Sequence, residues 1–345
     1  MKQQKILFRV SGGVSPKTQL GMGHIFRCIN LADNLQNFKI NFLLEDYGKS
    51  SKIFQQRGFT KLFYLKPKIS IKDDIESTKR LILKEKIDLL IIDKYQISIN
   101  YVKIISKYVK TIVISDLERI DFPSDLVING FIGFKNQKKF NKYGKKCLVG
   151  PSFQILNKSF TQNIKRKKEF DLLATFGGYD ENNLTEKIMD VLPKYLDSIQ
   201  VKIILGPATK HSKKIKVLAK KFSTSLEIIP QTKDLRNYIA KSNFGICSGG
   251  ITSYEFARLG VPFAIICQHK HQLNTANEWE KLELAVNLGF PNLTTTKKIE
   301  KYIQKIVENQ ICLKKNTKII DGKGSYRISK EIKKLLSLKI TKNFI

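Results

Sequence analysis

Ile6-Leu-Phe-Arg-Val10, then Gly21-Met22-Gly23-His24, then the helix-spaced stretch Ile25 to Leu35: this is the segment on which the reading of the chain turns. An apolar run of strand length, a glycine-flexible loop and an amphipathic run describe a strand, a turn and a helix. A histidine at the start of that helix stands beside backbone N–H groups that have no intrahelical acceptor, a layout suited to a phosphorylated ligand. The same residues also read as turn glycines and a histidine that caps or packs. The rest of the chain separates the two readings.

Outward from this segment, short apolar runs alternate with stretches of helical length. Strands are expected at Lys5 to Val10, Ile40 to Leu44, Asp88 to Asp93, Thr111 to Ser115 and Leu126 to Asn129, and helices at His24 to Leu35, Ile71 to Lys86 and Ile99 to Tyr108. The rhythm stops between about Phe134 and Glu169, in polar, Lys-rich sequence, and resumes with Phe170 to Phe176, Ser198 to Leu205, Leu226 to Ile229, Phe244 to Cys247 and Pro262 to Cys267. Such alternation predicts parallel strands joined by helical crossovers. The expected architecture is therefore α/β, two Rossmann-like doubly wound domains over residues 1–150 and 151–345 that face each other across a cleft at the carboxyl ends of their sheets. A basic amphipathic helix, Tyr326 to Leu338, closes the sequence; by analogy with other folds of two such domains it crosses back onto the first domain, or else its basic face touches a membrane.

Length fits this plan, since 345 residues suit two domains that each bury a core. With 62 Lys plus Arg against 30 Asp plus Glu, the formal charge is +32. The lysines are spread over nearly every helical segment, and neither a zinc-ligand spacing nor an RNP-like signature accompanies them, so no specific nucleic-acid partner is expected. A weak association with anionic membrane surfaces stays open. Five isolated cysteines, never in a C-x-x-C pair, point to a reducing cytoplasm without a disulfide framework or metal site. Neither a signal peptide nor a run of 18 apolar residues is present.

Two loops of the second half resemble nucleotide-binding turns. Ser248-Gly249-Gly250 follows an apolar strand and opens the helix Ile251 to Leu259, which aims first-turn N–H groups at a diphosphate. Glu255, one turn on, reads either as an acceptor for ribose hydroxyls or as a solvent-facing helix residue. Gly177-Gly178-Tyr179-Asp180 ends another strand, and Asp180 reads as a helix cap before it reads as a ligand.

Together these pieces carry a resemblance. Arg9, Gly21-x-Gly23-His24-x-x-Arg27, Asp93-x-Tyr95, Gly177-Gly178-x-Asp180-x-x-Asn183, Ser248-Gly249-Gly250-x-x-x-x-Glu255, Gly260-x-Pro262, Gln272 and Asp321-Gly322-x-Gly324-x-x-Arg327 look like the UDP-2,4-diacetamido-2,4,6-trideoxy-β-L-altropyranose hydrolases of pseudaminic acid biosynthesis and their spore-coat polysaccharide relatives. More distantly, the second half is similar to the peptidoglycan N-acetylglucosaminyl transferase, which shares the glycosyltransferase B fold. The resemblance implies a metal-independent UDP-sugar hydrolase that releases UDP with inversion and needs no cofactor.

Such chemistry must stabilise a leaving diphosphate and direct water to the opposite face of the sugar. His24 is then the general base or water-positioning group, and Tyr95 holds that water or a sugar hydroxyl, unless Tyr95 is an ordinary buried tyrosine. On this view Gly23, Arg27, Asp93, Gly178, Asp180, Ser248, Gly249, Gly250, Ile251, Ser253, Glu255 and Gln272 line the substrate site, with Arg9 assisting at the diphosphate. Arg27, three residues after His24 on one helix face, either orients the imidazole or forms a structural ion pair with Asp93 or Asp116. The chain departs from the family pattern at Ser11, where an Asp is usual, in a longer loop from Gly12 to Gln19, and at Phe153, Asn157 and His271. These departures lie on the sugar side, and His271 with His269 reads either as a phosphate or sugar contact or as loop polarity.

Two other classes remain at this stage. A glycosyltransferase of surface polysaccharide synthesis would use the same residues on an acceptor hydroxyl, and a non-catalytic module would bind the sugar nucleotide only. The expected partner is a small-molecule UDP-sugar, bound by a monomer.

Overall fold

The computed structural model describes residues 3–14, 19–48, 50–134, 139–164, 166–206, 213–232, 234–292, 295–314 and 318–337. It divides into two compact units, one formed by residues 1–158 and 322–345 and the other by 159–321.

The first unit begins with β1 (Lys5–Val14), β2 (Gln19–Gly21), α1 (Gly23–Ala32), β3 (Lys39–Asp46), α2 (Ser51–Gln56), β4 (Leu62–Leu65) and α3 (Ile71–Glu85). It continues through β5 (Leu89–Asp93), α4 (Ile99–Ile105), β6 (Lys110–Ile114), β7 (Leu126–Asn129) and β8 (Lys146–Val149). Seven strands lie parallel in the order β4-β3-β1-β5-β6-β7-β8. A parallel strand covered on both faces needs apolar residues throughout, and all of Leu89-Leu90-Ile91-Ile92-Asp93 in β5 is buried. Local chemistry sets the helix ends: the Ser70 side chain accepts the Asp73 amide at the start of α3, where Asp73 and Asp74 also suit the positive dipole end.

The second unit contains β9 (Phe170–Thr175), α5 (Leu184–Val191), β10 (Val201–Ile204), α6 (Lys213–Lys221), β11 (Leu226–Ile229) and α7 (Leu235–Lys241). After these come β12 (Ser242–Cys247), α8 (Ile251–Leu259), β13 (Phe263–Ile266), α9 (Gln272–Lys281), β14 (Ala285–Gly289) and α10 (Thr295–Val307). Its six parallel strands run β11-β10-β9-β12-β13-β14. Gly245 inside β12 is required by packing, since a Cβ there would lie 2.2 Å from the Phe256 ring of α8. Gly260 ends α8 at φ 64° and Pro262 follows, the usual left-handed stop.

The last helix, α11 (Gly324–Ser337), belongs to the first unit. Its first residue sits so close to Gln154 that a Cβ would fall 2.1 Å from the Gln154 carbonyl oxygen. Replacing Gly324 with alanine is therefore expected to lower stability by about 1–3 kcal/mol, read from the denaturation midpoint. Gly23, with nothing within 4 Å of its Cβ position, is the control and should tolerate alanine.

The structure departs from the sequence expectation in three places. The division falls after Lys158, eight residues beyond 150, because β8 completes the first sheet and Gln154 packs on Gly130 and Gly324 of the same unit. β1 runs on to Val14 and pairs antiparallel with β2, so a hairpin stands where a long loop was expected; residues 15–18 of that stretch lie outside the described residues. Short edge strands β4 and β14 and the short helix α2 carry too little apolar pattern to announce themselves. Leu338, the expected end of α11, lies outside the described residues.

Candidate functional site

Each sheet has a point where the strand order reverses, and loops at the carboxyl ends of the two strands flanking it leave a crevice. In the first unit that point lies between β1 and β5. The loop after β1 carries His24 into the first turn of α1, and β5 ends on Asp93. His24 Nδ1 meets Asp93 Oδ1 at 2.6 Å. Arg27, one turn further along α1, grips the same carboxylate with both arms, Nε to Oδ2 at 2.8 Å and Nη2 to Oδ1 at 2.6 Å, and its guanidinium also binds Asp116. The Cys28 thiol donates to Asp93 at 3.4 Å.

Burial works against the charge on Asp93, but Arg27 and His24 outweigh it and hold the carboxyl well below its ordinary range. Asp93 is thus an anion that accepts the Nδ1 proton. That fixes the tautomer and leaves the Nε2 lone pair, which has no hydrogen-bond partner among the described residues. Because Nδ1–H is a donor, the 3.2 Å approach of Arg27 Nη2 to Nδ1 is a contact and not a second hydrogen bond. The N-cap Met22 provides no side-chain cap, so first-turn amides of α1 face outward with the imidazole. Tyr95, two residues past Asp93, is 52 % exposed, which rules out the ordinary buried tyrosine.

In the second unit the reversal falls between β9 and β12. The loop after β9 holds Gly177 at φ 77° and Gly178, and the neighbouring loop after β10 touches it backbone to backbone, with a Cβ on Gly206 lying 2.1 Å from the Gly177 carbonyl oxygen. Ser248, Gly249 and Gly250 form the turn from β12 into α8. Gly250 is the N-cap and offers no side-chain oxygen, so the Ile251 and Thr252 amides remain directed out of the helix end. Gly249 packs on Gln272 at the start of α9, where a Cβ on Gly249 would lie 2.9 Å from the Gln272 Cβ.

Glu255 lies on α8, half-buried, with no ion-pair partner among the described residues. Burial pushes its carboxyl up to about 7, and the Thr252 hydrogen bond offsets this only in part. The folded protein therefore keeps a proton that the unfolded chain releases from about 4.5 upward. Stability held below that pH should be lost as the pH rises toward 7, by on the order of 1–3 kcal/mol. Melting curves at pH 5 and 7.5 check this, and Glu255→Gln should flatten the difference.

Four residues expected at the substrate site are occupied elsewhere. Arg9 is fully buried. It binds Asp74 through Nε and Nη2, each at 2.9 Å, and Glu45 at 3.0 Å, so it cannot reach a diphosphate. Asp180 uses both oxygens to accept the Leu184 and Thr185 amides at 2.8 and 2.7 Å and caps α5. Ser253 is buried, donating to the Gly250 carbonyl and accepting the Trp279 indole N–H at 3.1 Å. Asp93, fully buried, serves His24 and Arg27 instead of a ligand. Ser11 belongs to the Arg9 cluster, with its hydroxyl 2.7 Å from Glu45.

Sequence reasoning passed over Gln268. It is buried just beyond β13, donates to Asp180 at 3.2 Å, accepts the Asn182 side chain at 3.0 Å, and donates its backbone amide to the Gln272 side-chain oxygen at 2.8 Å. It ties the loops after β9 and β13 together, and a polar residue ending an apolar strand beside the reversal point was the available signal. His269 and His271 stack above this region with ring centres 5.4 Å apart, and His269 approaches Glu181 at 3.4 Å. Among the described residues no three His, Cys, Asp or Glu side chains group as a metal site, and no helix is long and apolar enough to cross a membrane.

Two parallel α/β units of this kind define the glycosyltransferase B fold. Residues 172–332 match the glycosyltransferase family 28 C-terminal domain. The fold is shared with the MurG structure from Acinetobacter baumannii, at a TM-score of 0.64 and 12 % identity over 96 % of this chain and 99 % of that one. It is shared equally with the MnaA–UDP co-structure from Staphylococcus aureus, at 0.64 and 13 % over 99 % of both chains.

In sequence the chain is 26 % identical to the spore coat polysaccharide biosynthesis protein SpsG of Bacillus subtilis, over 90 % of this chain and 93 % of that protein. It is 28 % identical to the UDP-2,4-diacetamido-2,4,6-trideoxy-β-L-altropyranose hydrolase of Campylobacter jejuni, over 79 % and 94 %. An uncharacterized protein of Methanocaldococcus jannaschii is 26 % identical over 93 % of this chain, which spans only 65 % of that longer relative.

Proposed function

We propose that the protein is a UDP-sugar hydrolase of nonulosonic-acid type biosynthesis, acting on a UDP-diacetamido-trideoxyhexose. The observation that carries this reading is the 2.6 Å contact between His24 Nδ1 and the Asp93 anion, which leaves Nε2 as a base. Nε2 takes a proton from water as the water oxygen bonds to the anomeric carbon. The bond from that carbon to the β-phosphate oxygen breaks, and UDP leaves with the electron pair, inverting the centre. Arg27, itself bound to Asp116, keeps Asp93 ionised and in place, and Tyr95, exposed two residues past Asp93, holds the water or a sugar hydroxyl. Amides from Gly249 to Thr252 receive the diphosphate and Glu255 accepts the ribose hydroxyls. The similarity to the Campylobacter hydrolase supports the substrate class.

If an ionised Glu255 accepts the ribose, UDP must displace its proton. Affinity should then fall about tenfold per pH unit below 7, and proton release should accompany binding in calorimetry in buffers of different ionisation enthalpy. The family 28 domain match favours a second reading, in which the same Nε2 deprotonates an acceptor hydroxyl and the product is a glycoside. The experiment is incubation with UDP-diacetamido-trideoxyhexoses without acceptor, followed by NMR. Free sugar of inverted configuration plus UDP supports hydrolysis; no cleavage until a lipid or glycan acceptor is added supports transfer.

A further inference from the structure

Three exposed aromatic side chains of the first unit lie on two adjoining segments, with Tyr64, Tyr95 and Tyr108 exposed elsewhere. Phe140 is 62 % exposed and Tyr143 40 % on the turn that leads into β8. Lys139 and Lys142 are exposed beside them, and the Lys142 ammonium lies 5.3 Å from the centre of the Tyr143 ring. Asn141, between the two rings, is buried and locks the turn. Its Nδ2 donates to the Ile120 and Phe122 carbonyls at 2.8 and 2.9 Å, and its Oδ1 accepts the Tyr143 and Lys145 amides at 3.0 Å each. The rings are thus held outward by their own anchor.

α11 continues this surface. Lys146 at the start of β8 pairs with Glu331 of α11, which also pairs with Lys334, so the acidic charge at the junction is neutralised. On the outer side of α11, Tyr326 is 50 % exposed with the Lys330 ammonium 4.6 Å from its ring centre, and Lys333 falls on the same stripe at helical spacing. Exposed rings among lysines suit a boundary where phosphate meets hydrocarbon: the rings enter the headgroup layer while lysine stems lie along it and the ammonium groups meet phosphates. A turn and the outer side of a helix offer no groove to track a nucleic-acid strand, which sets a bilayer above a polynucleotide as the anionic partner.

We propose that this face of the first unit, the 139–146 turn with the outer side of α11, docks on an anionic lipid bilayer. The surface is independent of the reaction proposed above, and its test uses no turnover. The full-length protein is sedimented with vesicles of phosphatidylcholine alone or mixed with phosphatidylglycerol. Wild type should pellet with the mixed vesicles only, and less as salt is raised. Phe140→Ala/Tyr143→Ala and Lys139→Glu/Lys142→Glu should each bind at least about tenfold more weakly, with unchanged melting. Lys216→Glu/Lys220→Glu, an equal charge reversal on exposed lysines of α6 in the second unit, should bind as wild type does. Equal pelleting with neutral vesicles, an equal loss in the α6 variant, wild-type binding by the aromatic variant, or displacement of the vesicles by single-stranded oligonucleotide would each overturn the proposal.

Discussion

His24→Ala should lower turnover of the UDP-sugar by about 10³-fold, within the range for removal of a general base, and leave UDP affinity within about twofold of wild type. The split follows from the geometry: the imidazole is fastened to β5 through Asp93, whereas the amides and carboxylate assigned to UDP belong to the second unit. Asp93→Asn sharpens the test. An amide at that position can donate to Nδ1, which moves the ring proton to Nε2 and removes the base while the imidazole stays in place. Its turnover should fall nearly as far. Calorimetry with UDP and a product assay check both variants. If His24→Ala loses UDP binding, the histidine belongs to a phosphate site; if it retains turnover, the base lies elsewhere.

Arg9→Met should cost about 3–5 kcal/mol of stability, because it removes the cation shared by two buried carboxylates and leaves Glu45 without one and Asp74 with Lys94 alone. Burial opposes ionisation of both carboxyls, and Arg9, with Ser11 at Glu45 and Lys94 at Asp74, holds both below the ordinary range. Their contribution in wild type is therefore present at neutral pH and lost on acidification through those lowered values. In the variant the balance shifts toward burial, so its deficit should shrink as the pH falls from 7 toward 4. Denaturant titrations at both pH values measure this. UDP affinity of the folded variant should match wild type, whereas a diphosphate role for Arg9 requires it to fall sharply.

The rhythm of the two units was legible because a parallel strand buried on both faces writes an unbroken apolar run, as in Leu89 to Ile92. Edge strands with one open side, such as Leu62–Leu65, leave no such mark. The imidazole and glycine turns could be found because a residue at the end of an apolar strand is placed by the fold itself. Arg9 looks the same in sequence as an anion ligand would. Its true partners stand 36 and 65 residues away, and no spacing rule joins them. The pairing of His24 with Asp93, 69 residues apart, was not foreseen; the helix face shared by His24 and Arg27 pointed only to an ion pair of Arg27 with Asp93 or Asp116. Asp180 and Ser253 illustrate the converse: small polar residues beside glycine turns were offered to a ligand, but the helix end and the Trp279 indole take them first.

Because α11 completes the first unit, the second is inserted within it, and the chain leaves the first unit after Lys158 and rejoins it at Gly322. During synthesis from the amino end, residues 159–321 have everything they need to fold before the first unit does. Until Gly324 reaches Gln154 and the end of α11 meets Lys110 and Gln4, the first sheet lacks its final cover on the ribosome. A chain ending at Asp321 should therefore carry a protease-resistant carboxyl-terminal half attached to an amino-terminal half still open to cleavage.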